Sequence, residues 1–269
     1  MPFIKFLAVM TTALTLAACG TPPKFQERRP AAAPAGQLSL GSSPLVQQTN
    51  HMTQHLNAEK TIVYSQPFGG GGVALGLLGP FGVAANISMI ESATKADTDK
   101  LFGKVRIDPV QSFRLLAEIK RIGLAASPGS TSQKLTPYLL VSKTKETTLS
   151  AAVALLLDTG GVAPAKYVLQ LPETYSVEQL AAIDQAGTDA LQRSVDRGFD
   201  QLLDFFVKDV GESSAAEPKV LVKSAFMSPR FEFELQGSVA DRSNEITWIR
   251  TYGGVYGLQN STFSSSPVK

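Results

Sequence analysis

The sequence predicts an α+β fold in which an antiparallel sheet, a meander plus C-terminal strands, packs with two or three amphipathic helices. Apolar residues recur at helical spacing in two segments, and strand-like segments cluster between and after them. The regular strand–helix alternation of a parallel sheet is missing, which favours this class. Hydrophobic residues make up 43% of the 269 residues, so the chain can bury a sizeable core.

The first clear helix is predicted to begin at Pro109. Asp108 precedes it as the N-cap, and proline is well suited to the first helical position. Apolar residues then recur at helical spacing as far as Ile122, and Gly123 follows as a stop signal.

The best-marked helix follows a capping-box pattern formed by Ser176 and Gln179. Gly211 is the expected stop signal, and we predict a break near Gly187 and Thr188. One face of this helix is apolar and is expected to be buried. That face comprises Leu191, Val195, Phe199, Leu202, Leu203, Phe206 and Val210.

Strands are predicted on both sides of this helix. A short strand is expected at 61–64, and turn-rich sequence divides the region before the helix into an antiparallel meander. The meander segments are 138–142, 147–157 and 166–171. In the C-terminal group, Phe231, Phe233 and Leu235 alternate with polar residues and are expected to share a buried face. This group comprises 219–227, 231–239 and 245–252.

The composition excludes several classes of function. Lys and Arg number 25 against 23 Asp and Glu, and the resulting net charge of +2 argues against a dedicated nucleic-acid-binding protein. A single cysteine excludes an intrachain disulfide, a structural zinc cluster and a Cys-x-x-Cys redox pair. We therefore expect no nucleic-acid partner, and no sequence motif calls for a cofactor.

The position of that cysteine is the most informative feature of the sequence. Lys5 provides a positive n-region, an apolar run at 6–16 follows, and small residues lead to Cys19, as in a secretory signal. The sequence Leu16-Ala17-Ala18-Cys19 resembles the lipobox of bacterial lipoproteins. An ordinary secretory signal with a coincidental cysteine is the alternative interpretation.

The lipobox resemblance implies a lipid-anchored protein. It implies that the signal peptide 1–18 is removed, that Cys19 is lipidated, and that its acyl chains hold the mature chain in membrane lipid. Gly20 follows where aspartate would retain such a protein in the inner membrane. The resemblance therefore implies the outer membrane of a Gram-negative cell, with the chain facing the periplasm.

The rest of the chain is expected to form a tether and one domain. Residues 19–55 are predicted to be the lipidated N-terminus and a flexible tether, because their Pro- and Ala-rich composition cannot bury enough apolar surface to order itself. Residues 56–269 are predicted to form a single α+β periplasmic domain.

An apolar, glycine-rich segment at 68–90 lies early in this domain. Gly72 and Gly76 have the spacing of small residues at which helices approach closely, so contact with a membrane or with another copy of the chain is one interpretation. A buried loop or short helical hairpin is the other, because Pro80 and Gly82 would interrupt a spanning helix.

Two further sets of side chains are candidates for binding. His51, His55 and Glu59 would share one face of a helix and are weak candidates for metal ligands, with a solvated helix face as the alternative. Trp248 and Tyr252 fall on one side of a predicted strand and are candidates for partner or membrane contact, with packing in the core as the alternative.

These features lead to one functional hypothesis and two alternatives. We expect a non-catalytic, outer-membrane-anchored lipoprotein that binds or scaffolds other envelope proteins in cell-envelope assembly or transport. The first alternative is an oligomeric membrane-associating or pore-forming lipoprotein that uses the segment 68–90. The second is an envelope hydrolase of unrecognised type, in which the histidines or a carboxylate pair would act.

Overall fold

The α+β class is confirmed, with the sheet as the dominant element. Among the residues that the structure describes, twelve strands form one mixed, mainly antiparallel sheet, and four helices accompany it. The sheet is therefore larger than the sequence predicted. The computed structural model describes residues 38–41, 49–50, 52–68, 79–120, 122–125, 133–159, 164–211, 217–229 and 233–268.

The elements have the following bounds. The strands are β1 (Leu38–Leu40), β2 (Thr53–His55), β3 (Ile62–Ser65), β4 (Leu124–Ala125), β5 (Gln133–Lys143), β6 (Leu149–Asp158), β7 (Ala165–Tyr175), β8 (Lys219–Ser224), β9 (Glu234–Arg242), β10 (Ile246–Thr251), β11 (Gly254–Gln259) and β12 (Phe263–Pro267). The helices are α1 (Gly79–Leu101), α2 (Pro109–Ile119), α3 (Val177–Ala181) and α4 (Gln185–Gly211).

The predicted meander β5–β6–β7 lies at the centre of the sheet, and its antiparallel pairing is confirmed. The strand order is β12-β8-β9-β10-β11-β7-β6-β5-β1-β4. β3 pairs with the C-terminal half of β5, and β2 pairs with β3. Every residue of β6 except Asp158 is buried. Such a continuous apolar strand requires packing layers on both faces of the sheet.

Helices pack on one face of the sheet. The apolar side of α4 is buried as predicted, except at half-buried Val210. Phe199 on α4 meets Phe113 on α2 edge to face, with ring centroids 5.9 Å apart. A Cβ atom at Gly198 would lie 2.6 Å from the side chain of Leu171 on β7. The missing side chain therefore lets α4 lie close against the sheet.

The sheet curls to build a core on its second face. Only residues 260–262 join β11 to β12, although three strands lie between these two in the sheet order. A flat sheet would separate them by about 19 Å, whereas four Cα–Cα steps span at most about 15 Å. Consistent with curling, Val220 and Val222 on β8 join Tyr138 on β5 and Ala154 on β6 in one buried cluster.

Several sequence-based boundaries need correction. The capping box at Ser176 and Gln179 is present, with both hydrogen bonds, but it starts the short α3 rather than one long helix. The break falls at 182–184, where the Asp184 carboxylate accepts a hydrogen bond from the Gly187 N–H and so caps α4. Gly187 therefore lies in the first turn of α4 instead of ending a helix.

The C-terminal strand prediction was wrong at Phe233. This side chain is 62% exposed, because β9 begins only at Glu234 and residue 233 precedes the pairing with β8. Phe231 lies outside the described residues. The sequence also did not predict β11 and β12, whose glycine- and serine-rich composition is unusual for strands.

Two N-terminal strands shift the predicted boundary between tether and domain. The predicted tether comprises residues 19–55, whereas β1 pairs in parallel with β5, and β2 pairs with β3. The first strand among the described residues thus begins at Leu38. Since 18 residues separate Cys19 from Leu38 in the sequence, any tether is shorter than predicted.

Candidate functional site

An open cleft of about 500 Å³ lies between the β2–β3 turn and the segment that joins α1 to α2. One wall comes from the turn and the other from the segment that leads into α2. The lining residues are Asn57, Glu59, Thr61, Arg106, Ile107, Asp108 and Val110.

The turn wall is held in place by the side chain of Asn57. Its Oδ1 accepts hydrogen bonds from the backbone N–H groups of Thr61 at 2.9 Å and Ile62 at 3.1 Å, and its Nδ2 donates to Thr61 Oγ1 at 2.8 Å. Lys60 in the same turn has a φ of 58°, a left-handed conformation that is unfavourable for a lysine. Glu59 is exposed beside it, so the turn presents a carboxylate at the cleft.

The opposite wall is fixed by alternating burial. Val105 and Ile107 are buried in the core, while Arg106 and Asp108 are exposed. As predicted, Asp108 caps α2, because its Oδ1 accepts a hydrogen bond from the Gln111 N–H at 2.9 Å. The alternation keeps the guanidinium and the carboxylate on the solvent side of the wall.

The chemistry of the cleft is that of a polar binding surface. Glu59 and Asp108 contribute carboxylates, Arg106 a guanidinium, and Thr61 a hydroxyl. Because these groups include both signs of charge, the cleft suits a ligand or protein segment that carries donors and acceptors together.

The structure corrects the helical interpretation for His55 and Glu59. His55 ends strand β2 and is half-buried, whereas Glu59 lies in the following turn, so these residues do not share a helix face. His51 lies outside the described residues. Within the described part of the chain, no group of three or more His, Cys, Asp or Glu side chains is placed to hold a metal ion.

The other candidate residues have different surroundings. Trp248 on β10 is buried and stacks on Phe205 of α4, with ring centroids 4.0 Å apart. That packing leaves Trp248 no surface for a partner. Tyr252 lies after the end of β10, in the turn before β11, and is 67% exposed. Cys19, Gly72 and Gly76 lie outside the described residues.

A buried ionic cluster around Arg250 was not predicted from the sequence. This side chain is 1% exposed and forms ion pairs with Asp209, in the last turns of α4, and with Glu217, two residues before β8. Tyr167 donates a hydrogen bond to Asp209 at 2.8 Å, and Ser238 donates one to Glu217 at 2.5 Å. The cluster therefore connects the end of α4 to β7, β9 and β10 and to the segment that precedes β8.

Protonation in this cluster follows from burial and charge. Burial opposes the charge of Arg250, but its hydrogen bonds to Asp209 and Glu217 prevail and raise the pKa of the guanidinium. Burial, together with the neighbouring Asp209, raises the pKa of Tyr167 well above its ordinary value. A sequence signal existed, because Arg250 alternates in phase with Ile246 and Trp248 and so falls on the face of β10 that carries these two core residues.

A second buried cluster joins α1 to the sheet. Asp97 on α1 pairs with Lys143 at the end of β5 at 2.7 Å and accepts a hydrogen bond from the hydroxyl of Tyr64 on β3, also at 2.7 Å. Tyr64 is fully buried. Burial, and then its contact with Asp97, raise the pKa of this tyrosine well above its ordinary value.

The raised pKa of Tyr64 predicts a loss of stability in alkali. Above about pH 10 an unfolded tyrosine ionises while the folded one stays neutral, so rising pH favours the unfolded state. The Tyr64→Phe variant should be less stable than the wild type by about 1–2 kcal/mol at neutral pH, because Asp97 loses a hydrogen bond. This difference in the free energy of unfolding should become smaller above pH 10, as measured by urea unfolding at several pH values.

Tyr252→Phe is the matched control for this experiment, because the Tyr252 ring is exposed in a turn. The Tyr252→Phe substitution should change the free energy of unfolding by less than about 0.5 kcal/mol at neutral pH. A gap between Tyr64→Phe and the wild type that stays constant from neutral pH into alkali would show that Tyr64 ionises alike in both states.

Comparison of the chain with protein-family models, curated proteins and solved structures finds no match. None of the described helices is both long enough and apolar enough to cross a membrane.

Proposed function

We propose that this protein is a lipid-anchored lipoprotein of the outer membrane whose domain binds another envelope component without catalysing a reaction. The single observation that carries the binding role is the open cleft between the β2–β3 turn and the start of α2. The lipobox-like sequence that ends at Cys19 supports the anchor.

The cleft is suited to recognition because both of its walls are attached to the core. Asn57 fixes the turn through three hydrogen bonds, and buried Val105 and Ile107 fix the opposite wall. The backbone of both walls therefore loses little conformational freedom when a partner binds, which favours affinity. Glu59 and Arg106 would provide the charged contacts.

The position of β1 supports a domain that stays near the membrane. The 18 residues between Cys19 and Leu38, if they form a flexible tether, have a root-mean-square span of roughly 23 Å. A partner bound in the cleft would then also lie close to the membrane surface, which suits a component of the envelope.

Site-specific photocrosslinking in intact cells tests the binding role. A photoreactive phenylalanine analogue would replace Glu59 or Arg106 in the full-length, lipidated chain. We expect the same discrete crosslinked species from both positions, because they belong to opposite walls of one cleft. Combining the crosslinker at residue 59 with Arg106→Ala should reduce the yield of that species several-fold.

The matched control places the crosslinker at Lys223, an exposed residue on β8 that does not line the cleft. That position should not give the species obtained from the cleft. Identical products from residues 59 and 223, or no product from either cleft position, would contradict binding in the cleft.

A further inference from the structure

Three polar side chains lie together on the second face of the sheet: Tyr138 on β5, Lys166 near the start of β7, and Tyr256 on β11. Tyr138 lies opposite Ala154 on β6. Val168 on β7 lies between Ala154 and Tyr256 in the same cross-strand row. Lys166 precedes Val168 by two residues, and side chains two residues apart point to the same face of a strand.

Lys166 carries a positive charge that no acidic residue in the described part of the chain balances. Its Nζ lies 5.6 Å from the centroid of the Tyr256 ring, and the groups that act on its charge are Tyr138 and Tyr256. The stretches 126–132 and 160–163, which precede β5 and β7 and lie outside the described residues, contain no Asp or Glu. Burial opposes the charge, but the contacts with both tyrosines prevail and raise the pKa of the Lys166 ammonium, so it is charged at neutral pH.

The hydroxyl of Tyr138 is a buried donor whose hydrogen-bonding capacity is unused. Tyr138 is only 6% exposed, and no described residue forms a hydrogen bond with its hydroxyl. Leaving a buried hydroxyl without a partner costs free energy. Burial raises the pKa of this phenol, so the hydroxyl stays protonated and able to donate.

These groups are also within reach of solvent. Lys166 and Tyr256 are half-buried. A Cβ atom at Gly253 would lie 3.4 Å from the Tyr256 hydroxyl, which places this hydroxyl beside the β10–β11 turn at the rim of the sheet. One ammonium and two hydroxyls therefore converge at the rim, and together they match a group with one negative charge and several acceptor oxygens.

We infer that Tyr138, Lys166 and Tyr256 form a binding site for a singly charged oxyanion, either a carboxylate or a phosphodiester. The Lys166 ammonium would bind the charge, and the hydroxyls of Tyr138 and Tyr256 would donate hydrogen bonds to its oxygens. The site shares no residue with the cleft at Glu59 and Arg106, so it would bind a second ligand independently of the proposed envelope partner.

Nuclear magnetic resonance of the tyrosine rings tests this site. The chain has six tyrosines, so ring-labelled ¹³C-tyrosine in the full chain, held in a non-ionic detergent, gives one probe at each of them. Sodium acetate and sodium dimethyl phosphate would each be titrated at constant ionic strength, with sodium chloride as the balancing salt. We expect the Tyr138 and Tyr256 signals to shift saturably, with half-saturation at roughly 1–10 mM, while exposed Tyr252 shows no such shift. The anion that saturates distinguishes a carboxylate from a phosphodiester ligand.

Lys166→Met should raise the half-saturation concentration about tenfold or more, because it removes the charge that binds the anion. Lys223→Met is the matched control, because it removes an exposed lysine on β8 and should leave binding unchanged. Tyr138→Phe is a second test variant, which should weaken binding several-fold. It should fold normally, because the hydroxyl that it removes has no hydrogen-bond partner among the described residues.

Three results would overturn the inference. The first is the absence of a saturable shift with either anion, and the second is equal binding by the wild type and Lys166→Met. The third is a Tyr138 signal that moves on Glu232→Gln substitution without added anion. Because Glu232 lies outside the described residues, that result would show that the chain itself supplies the carboxylate.

Discussion

Arg250→Ala is expected to lower the free energy of unfolding by about 3–5 kcal/mol, since it leaves two buried carboxylates without their shared cation. Asp209 and Glu217 are both ion-paired with Arg250, and the guanidinium is nearly inaccessible to solvent. Removing the cation from such a cluster costs more than the pair itself contributes, because the remaining charges stay desolvated. For a chain of this size we expect the midpoint of thermal unfolding to fall by roughly 6–20 °C.

Urea unfolding followed by circular dichroism measures this effect. Lys95→Ala is the matched control, because Lys95 also pairs with an aspartate, at 2.8 Å, but both side chains are largely exposed. The control should cost only about 0.3–0.5 kcal/mol. A loss for Arg250→Ala as small as that of the control would mean that water reaches Asp209 and Glu217 in the folded protein.

Phe199→Ala should cost about 3–5 kcal/mol by leaving a cavity between α4, α2 and the sheet. The Phe199 ring is fully buried and meets Phe113 edge to face, with the ring planes inclined by 74°. Gly198 beside it already brings α4 into close contact with the sheet, so there is little space through which the helix could move to fill the cavity.

The same unfolding experiment separates this effect from a general effect of shortening α4. Val207→Ala removes an aliphatic side chain from the same helix, but Val207 is 48% exposed and the change should cost less than about 1 kcal/mol. A double-mutant cycle between Phe113 and Phe199 should show a coupling of about 0.5–1.5 kcal/mol. Equal losses for Phe199→Ala and Val207→Ala would contradict the tight packing of α4 on the sheet.

Elements with strong local signals could be predicted from the sequence. Asp108 and Pro109 mark the start of α2 because the capping interaction involves only neighbouring residues, and the structure contains that hydrogen bond. The meander was predictable because turn-rich sequence separates its strands. The buried face of α4 followed from its helical periodicity, since that pattern depends only on which side of the helix faces the core.

Features that depend on tertiary contacts were not predictable in this way. β11 and β12 carry weak strand signals, and β11 pairs with β7, a strand distant in the sequence. The pairing of β12 with β8 also requires the sheet to curl. The cleft unites a turn near Glu59 with a segment near Arg106 that is distant in the sequence. Arg250 alternates in phase with buried residues, but its partners lie on α4 and before β8, so the sequence alone could not identify them.

Intact-mass analysis of the protein purified from the cell envelope tests whether Cys19 anchors the chain to the membrane. We predict a mature chain that begins at Cys19 and carries covalently bound acyl chains on that residue. The Cys19→Ser variant should carry none, because it lacks the sulfur to which lipid is attached, and it should remain uncleaved or be released from the membrane. A wild-type chain with an unmodified Cys19 thiol would refute the lipid anchor.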